Sequence, residues 1–152
     1  MIHILKGFHY STFIPRLYKY CTKKVVKVKF DRSCQYDIAE KSCVNKLWGL
    51  AVGFGIHKNS YRFGWTSEED KIVIWTYSYI EGKLHKKKLT ECEFDKEYIC
   101  SIDITDKVIY NFNGVIREAK LKKSNWLLEL GFYFGGKTRA PHKMKIEFER
   151  MK

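Results

Sequence analysis

The sequence predicts an all-β fold, an antiparallel β-sandwich, and three observations carry that prediction. Apolar and polar residues alternate with a period of two in one segment after another, the pattern of strands with one face buried. No segment keeps a helical period over three turns. Turn-forming residues divide the chain at roughly 8–12-residue spacing, which suits about nine to eleven short strands packed as two sheets.

The elements follow in order. Segment 1–24 carries Lys6, Arg16, Lys19, Lys23 and Lys24, with no acid, and interleaves them with Phe8, Tyr10, Phe13, Leu17, Tyr18 and Tyr20. It is too apolar for a free tail and reads as a basic arm or edge strand beside a sandwich domain at 25–152. Its charge also suits an acidic protein or nucleic-acid phosphates. Val26, Val28 and Phe30 alternate with Lys27 and Lys29. Residues Ala39 to Leu47 read as a short helix or a loop turn. From Trp48 to Ile56 one face holds Trp48, Leu50, Val52, Phe54 and Ile56, and the other holds Gly49, Ala51, Gly53 and Gly55. Glycine on a strand marks close approach of a backbone or a ligand. Tyr61, Phe63 and Trp65 share a face opposite Ser60, Arg62 and Gly64. Residues 72–79 are apolar or aromatic on both faces, as in a central strand.

Tyr98 to Ile104 and Val108 to Phe112 continue the series. Asn113-Gly114 is a two-residue hairpin turn, because both residues tolerate positive φ. Residues 115–121, 126–134 and 143–148 complete the strands, with Met144, Ile146 and Phe148 facing inward.

Composition bounds the function. The chain has 152 residues, 45% hydrophobic and 30% charged, which excludes a disordered chain and a membrane-spanning one. The net charge is +12, which favours anionic partners. Five cysteines without a CxxC pair read as reduced, partly buried thiols, so no zinc site, other metal or cofactor is expected. No signal-peptide pattern follows Met1, so the expected location is a bacterial cytoplasm or a virion.

Two stretches carry a resemblance. The first is Leu47-Trp48-Gly49, then Gly53-Phe54-Gly55-Ile56-His57-Lys58-Asn59-Ser60, then Arg62-Phe63-Gly64-Trp65. The second is Tyr133-Phe134-Gly135-Gly136-Lys137-Thr138-Arg139-Ala140-Pro141-His142. Together they resemble a group of small uncharacterised proteins of gut bacteria and their phages, over roughly residues 26–149. The resemblance implies a concanavalin-like jelly roll, the fold of many lectins and several polysaccharide lyases. It brings no chemistry with it, and a fold does not fix a function.

The candidate site is built from His57, Asn59, Arg62 and Trp65, with Tyr133, Arg139 and His142 as a second wall. Arg62 supplies a planar fork for a carboxylate, sulfate or phosphate. The bland alternative is a structural loop in which Arg62 pairs with a buried acid. Gly135-Gly136 with Lys137 either holds an anion through backbone N–H groups or simply turns the chain. Trp75, Tyr77 and Tyr79 form an aromatic stripe that is either core or a stacking surface for sugars. The run Lys83 to Lys88 is a solvated edge or part of a polyanion-binding face.

The reading is a non-catalytic binding module for a glycan or anionic polymer. One alternative is a structural or assembly protein, phage-derived, whose segment 1–24 docks on an acidic partner or nucleic acid. A second is a lyase-like enzyme with Tyr133 or His57 as base and Asn59 and Arg62 as neutralisers, although the spacings of known lyase families are absent.

Overall fold

The computed structural model describes residues 1–37 and 43–152. Numbered along the chain, the strands form two six-stranded sheets. The first runs in the order β1 (Ile2–Ile4), β12 (Met144–Arg150), β3 (Lys23–Phe30), β8 (Glu97–Asp103), β9 (Val108–Phe112) and β10 (Val115–Ala119). The second runs β2 (Leu17–Lys19), β11 (Trp126–Leu130), β4 (Asn45–Val52), β5 (Ser60–Glu68), β6 (Lys71–Ile80) and β7 (Lys83–Cys92). Every pairing within the sheets is antiparallel. The chain is therefore an antiparallel β-sandwich, as its alternation predicts. A single 3-10 turn at Arg32–Cys34 interrupts the strands among the described residues.

The core lies between the sheets. Tyr61, Phe63 and Trp65 of β5 are fully buried and face across it. Phe63 meets Tyr110 and Phe112 edge-on, with ring centroids 5.2 and 5.8 Å apart. Trp65 packs 5.3 Å from Phe30. Each such side chain withdrawn from water contributes roughly 1.5–3 kcal/mol. Asn113 and Gly114 take φ of 48° and 94° and place Val115 opposite Phe112, the expected hairpin. All five cysteines are free thiols, and burial pushes those of Cys34 and Cys100 well up.

Three expectations are corrected. The strand opening at Trp48 does not reach Ile56: Gly53 takes φ of 71° and turns the chain, leaving Phe54 75% exposed. Of the stretch read as a short helix or turn, 39–42 lie outside the described residues, while 45–47 open β4. Trp65, offered as a ligand contact, is core, because the alternation that aims Arg62 outward aims Trp65 inward.

Segment 1–24 is woven into the fold. β1 is an edge of the first sheet and β2 an edge of the second. Between them a strap crosses β11 and the residues after it. Ser11 Oγ donates to the Phe132 carbonyl at 3.0 Å, and His9 Nδ1 lies 2.7 Å from the Phe134 carbonyl. Phe13 lies flat on Gly131, where a Cβ would come within 2.0 Å of its ring. Beneath the strap, Glu129 of β11 is 1% exposed. It accepts from Trp48 Nε1 at 2.9 Å and from Arg150 of the opposite sheet at 2.8–3.1 Å. Arg150 Nη2 also donates to the Ile14 carbonyl at 2.7 Å, so one ion pair ties both sheets and the strap together. No helix among the described residues is long and apolar enough to cross a membrane.

Candidate functional site

The outer face of the second sheet carries the site. Register places Gly49 of β4, Arg62 of β5, Tyr77 of β6 and Lys86 of β7 in one row across the strands. The neighbouring rows are Lys46, Gly64, Trp75, Lys88 and Ala51, Ser60, Tyr79, Leu84. A β-bulge between Lys46 and Trp48 shifts the parity of β4. It puts Lys46 on the same face as Gly49, three residues away, where simple alternation would send it to the core. Gly49 is bare because Arg62 lies across it: a Cβ there would stand 2.5 Å from Arg62 Cα and 2.1 Å from the Tyr61 carbonyl oxygen.

Of these rows, Lys46, Ser60, Arg62, Tyr77 and Tyr79 line a cleft of about 590 Å³. Tyr77 and Tyr79 form one side with Ile56 and His57, whose ring meets Tyr79 edge-on at 5.3 Å. Tyr10 and Phe13 of the strap and Tyr133 form the other. Tyr133 is braced by His9, stacked at 5.1 Å, and by Tyr10, edge-on at 5.2 Å. It is joined to β4 by reciprocal backbone hydrogen bonds with Lys46 of 2.8 and 3.0 Å. The lining contains no carboxylate among the described residues.

Two cations meet on this floor. Arg62 donates from Nη2 to the Gly131 carbonyl, while its buried Nε has no hydrogen-bond partner among the described residues. No ion pair reaches Arg62 among the described residues, so its charge is not half of a buried salt bridge. Burial holds the guanidinium down to about 10, with the phenols of Tyr77, Tyr110 and Tyr79 opposing the fall. Lys46 Nζ donates to the carbonyls of Val44 at 3.1 Å and Gly135 at 3.4 Å, and stands over the rings of Tyr77 and Tyr133 at 4.8 and 5.7 Å. Burial, then the neighbouring Arg62, lowers Lys46 to about 8. Tyr77 is raised to about 12, chiefly by burial and then by its hydrogen bond with Tyr79. Ser60 Oγ, also buried and lining the cleft, has no partner among the described residues. A buried cation with an unused donor is costly unless something anionic meets it. The site is thus an electropositive slot walled by phenol rings.

Of the residues read from the sequence, the structure brings Arg62, His57 and Tyr133 to this cleft. Asn59 is spent locally, its Oδ1 accepting from the Glu81 N–H at 3.1 Å. Arg139 is exposed and lies beyond the turn at Gly135, whose φ of 62° and close approach to the Thr138 carbonyl bend the chain away. The ring of His142 meets the Ser33 carbonyl at 2.7 Å and lines a separate depression beside Trp75. The stripe of Tyr77 and Tyr79 belongs to the cleft, and Lys46, Tyr10 and Phe13 are contributors that the sequence reading did not select.

The fold has known counterparts. An alginate lyase from Pseudomonas aeruginosa superimposes with a TM-score of 0.57 at 8% identity, over 87% of this chain and 65% of its own. This chain therefore spans about two thirds of that enzyme's length. A family 18 polysaccharide lyase superimposes with a TM-score of 0.56 at 8% identity, over 99% of this chain and 87% of its own. A homodimeric agglutinin from chicken liver aligns at 13% identity over 90% of this chain and 100% of its own, with a TM-score of only 0.41. No protein-family model and no curated sequence matches the chain. At these identities the likeness is one of fold: the two-sheet sandwich shared with polysaccharide lyases.

Proposed function

We propose that the cleft binds an acidic glycan, with a carboxylate or sulfate of the sugar seated on Arg62 and Lys46 and the pyranose rings flanked by Tyr77, Tyr79 and Tyr133. The observation that carries this reading is the buried Nε of Arg62, without a partner among the described residues, beside a second desolvated cation and with no acid among the described lining residues. A carboxylate would fill the missing partner and repay the desolvation of both groups. The aromatic walls supply apolar area for sugar faces. A sandwich neighbour that is an alginate lyase, an enzyme of a polyuronate, agrees with this ligand class.

Titration calorimetry with alginate and polygalacturonate oligomers, against neutral dextran, tests the reading. Binding of the acidic oligomers, weakened roughly thirtyfold in Arg62→Ala, is expected. Equal affinity for dextran, or no binding at all, overturns it.

A second reading is favoured by His57 and Tyr133 standing on facing walls of the same cleft. In β-elimination a base removes the C5 proton of a uronate, the C4–O bond breaks, and a C4=C5 double bond forms while the leaving oxygen takes a proton. Arg62 and Lys46 would stabilise the charge developing on the carboxylate. Growth of unsaturated-uronate absorbance, lost in Tyr133→Phe or His57→Ala, distinguishes this enzyme from a binding module. The assembly reading, with segment 1–24 as a docking arm, fits less well. That segment supplies an edge strand to each sheet and one wall of the cleft.

A further inference from the structure

We propose a second contact for the glycan outside the cleft: a stacking subsite formed by Trp126, with Lys19 and Tyr20, that engages distal sugars of the same acidic chain. It rests on the reading of the cleft as an acidic-glycan site. The placement follows from register. Along β11, Leu127 and Glu129 face the core, so Trp126, Leu128 and Leu130 face outward, and Leu130 lines the cleft. Four residues of strand span about 14 Å. Trp126 therefore lies on the same outer face as Arg62, displaced along the strands, with Lys19 of β2 directly opposite it.

The rings are presented, not packed away. Trp126 is 39% exposed and Tyr20 73%. Tyr20 sits at φ of 52°, a conformation unfavourable for a bulky residue, and its N–H is tied to the Asn125 carbonyl at 3.0 Å. Lys19 Nζ stands 5.0 Å from the Tyr20 ring and 5.2 Å from the Trp126 ring, so a cation is held between two exposed aromatic faces. The surrounding sequence is acid-free. No Asp or Glu occurs in residues 1–30 or between Glu118 and Glu129, whereas Lys23, Lys24, Lys120 and Lys123 fall in those runs. An occupant that offers both a flat apolar face and negative charge, and is long enough to arrive from the cleft, is an acidic polysaccharide.

Length dependence tests this. Affinities of alginate-derived dimers through octamers are measured for the parent chain, Trp126→Ala, Lys19→Ala and Arg62→Ala. The parent chain should bind long oligomers more tightly than short ones. Trp126→Ala should leave the shortest oligomers unchanged and weaken the longest about fivefold. Trp126→Phe should recover part of that loss, with an unchanged melting temperature in both variants. Arg62→Ala should weaken all lengths. Length dependence that survives both Trp126→Ala and Lys19→Ala overturns the subsite while leaving the cleft intact. Absence of binding by the parent chain overturns the cleft reading and the subsite with it. A single-stranded oligonucleotide that binds as tightly as the octamer, and is lost in Trp126→Ala, replaces the glycan with base stacking and overturns the proposal.

Discussion

Arg150 and Arg62 both reach β11 and the residues just after it, one from the core side and one from the outer face. Arg150 finds a carboxylate there, Glu129, in a forked contact of 2.8–3.1 Å, and is further held over the rings of Phe13 and Phe148. That pairing raises its affinity for the proton. Arg62 finds the Gly131 carbonyl and no carboxylate among the described residues, and burial lowers its affinity for the proton. The same side chain is thus paired with a carboxylate in one place and, among the described residues, without a counter-charge in the other. What separates them is whether the chain itself supplies the counter-charge. The consequences for stability and for binding should be opposite.

The largest effect is expected at the tie. Arg150→Ala leaves Glu129 charged, 1% exposed and without its cation, and should cost about 3–5 kcal/mol in chemical denaturation. Replacing Glu129 and Arg150 together by leucine should recover most of that loss, because a buried pair exchanged for apolar side chains is close to neutral. A single substitution costing under about 1 kcal/mol would break the comparison.

At Arg62 the expectation reverses. Arg62→Ala should change stability by no more than about 1 kcal/mol: no carboxylate among the described residues is orphaned, and the loss of the Gly131 hydrogen bond and of the packing over Gly49 is offset by removing a desolvated charge. Affinity for an acidic oligomer should fall by about 2 kcal/mol, roughly thirtyfold, the worth of a charge-assisted hydrogen bond. Arg62→Lys keeps the charge without the fork and should sit between the two. A melting loss like that of Arg150→Ala would make Arg62 structural and empty the site of its main argument.

Much of this was legible before the structure. The alternation of Tyr61, Phe63 and Trp65 against Ser60, Arg62 and Gly64 is a local property of a strand, so both the sandwich and the outward aim of Arg62 follow from it. Lys46 was hidden because the bulge beside it breaks the alternation, and bulges leave little trace in composition. Tyr10 and Phe13 were hidden for a different reason. Their place depends on β1 and β2 joining separate sheets, a long-range pairing. Arg139 and His142 were misplaced because one positive-φ glycine, Gly135, decides which way the loop leaves Tyr133.

Lys46 gives the next largest effect, through pH. Its proton leaves near pH 8 in the folded chain against an ordinary 10.5. Below pH 8 the amine is charged in both folded and unfolded chains, so its burial cost is fully present. Between the two values the unfolded chain keeps the proton and the folded one does not, so Lys46 makes stability rise with pH across that window. Binding runs the other way. As pH climbs through about 8 the slot loses a cation, and affinity for a carboxylate should fall by up to about tenfold per pH unit. Lys46→Arg should flatten that profile. A profile equally steep in Lys46→Arg would assign the titration to another group.

The smallest effect is expected on the outer face of the first sheet, which serves as the control for everything said of the second. There Lys27 and Lys29 are matched. Lys29 Nζ lies 2.8 Å from Glu147, and Lys27 lies 3.3 Å from Glu97 and 3.1 Å from Glu149. These pairs are solvated, with the glutamates 45–65% exposed, so each gains little in water and is screened by salt. Lys29→Ala should therefore shift stability by less than about 0.5 kcal/mol. It removes one positive charge from the chain, as Arg62→Ala does, so net charge alone predicts the same loss of glycan affinity in both. The cleft predicts a loss in Arg62→Ala and almost none in Lys29→Ala, measured side by side at one ionic strength. Equal losses would mean that the +12 charge as a whole attracts the polymer and that the slot around Arg62 has no special part in holding it.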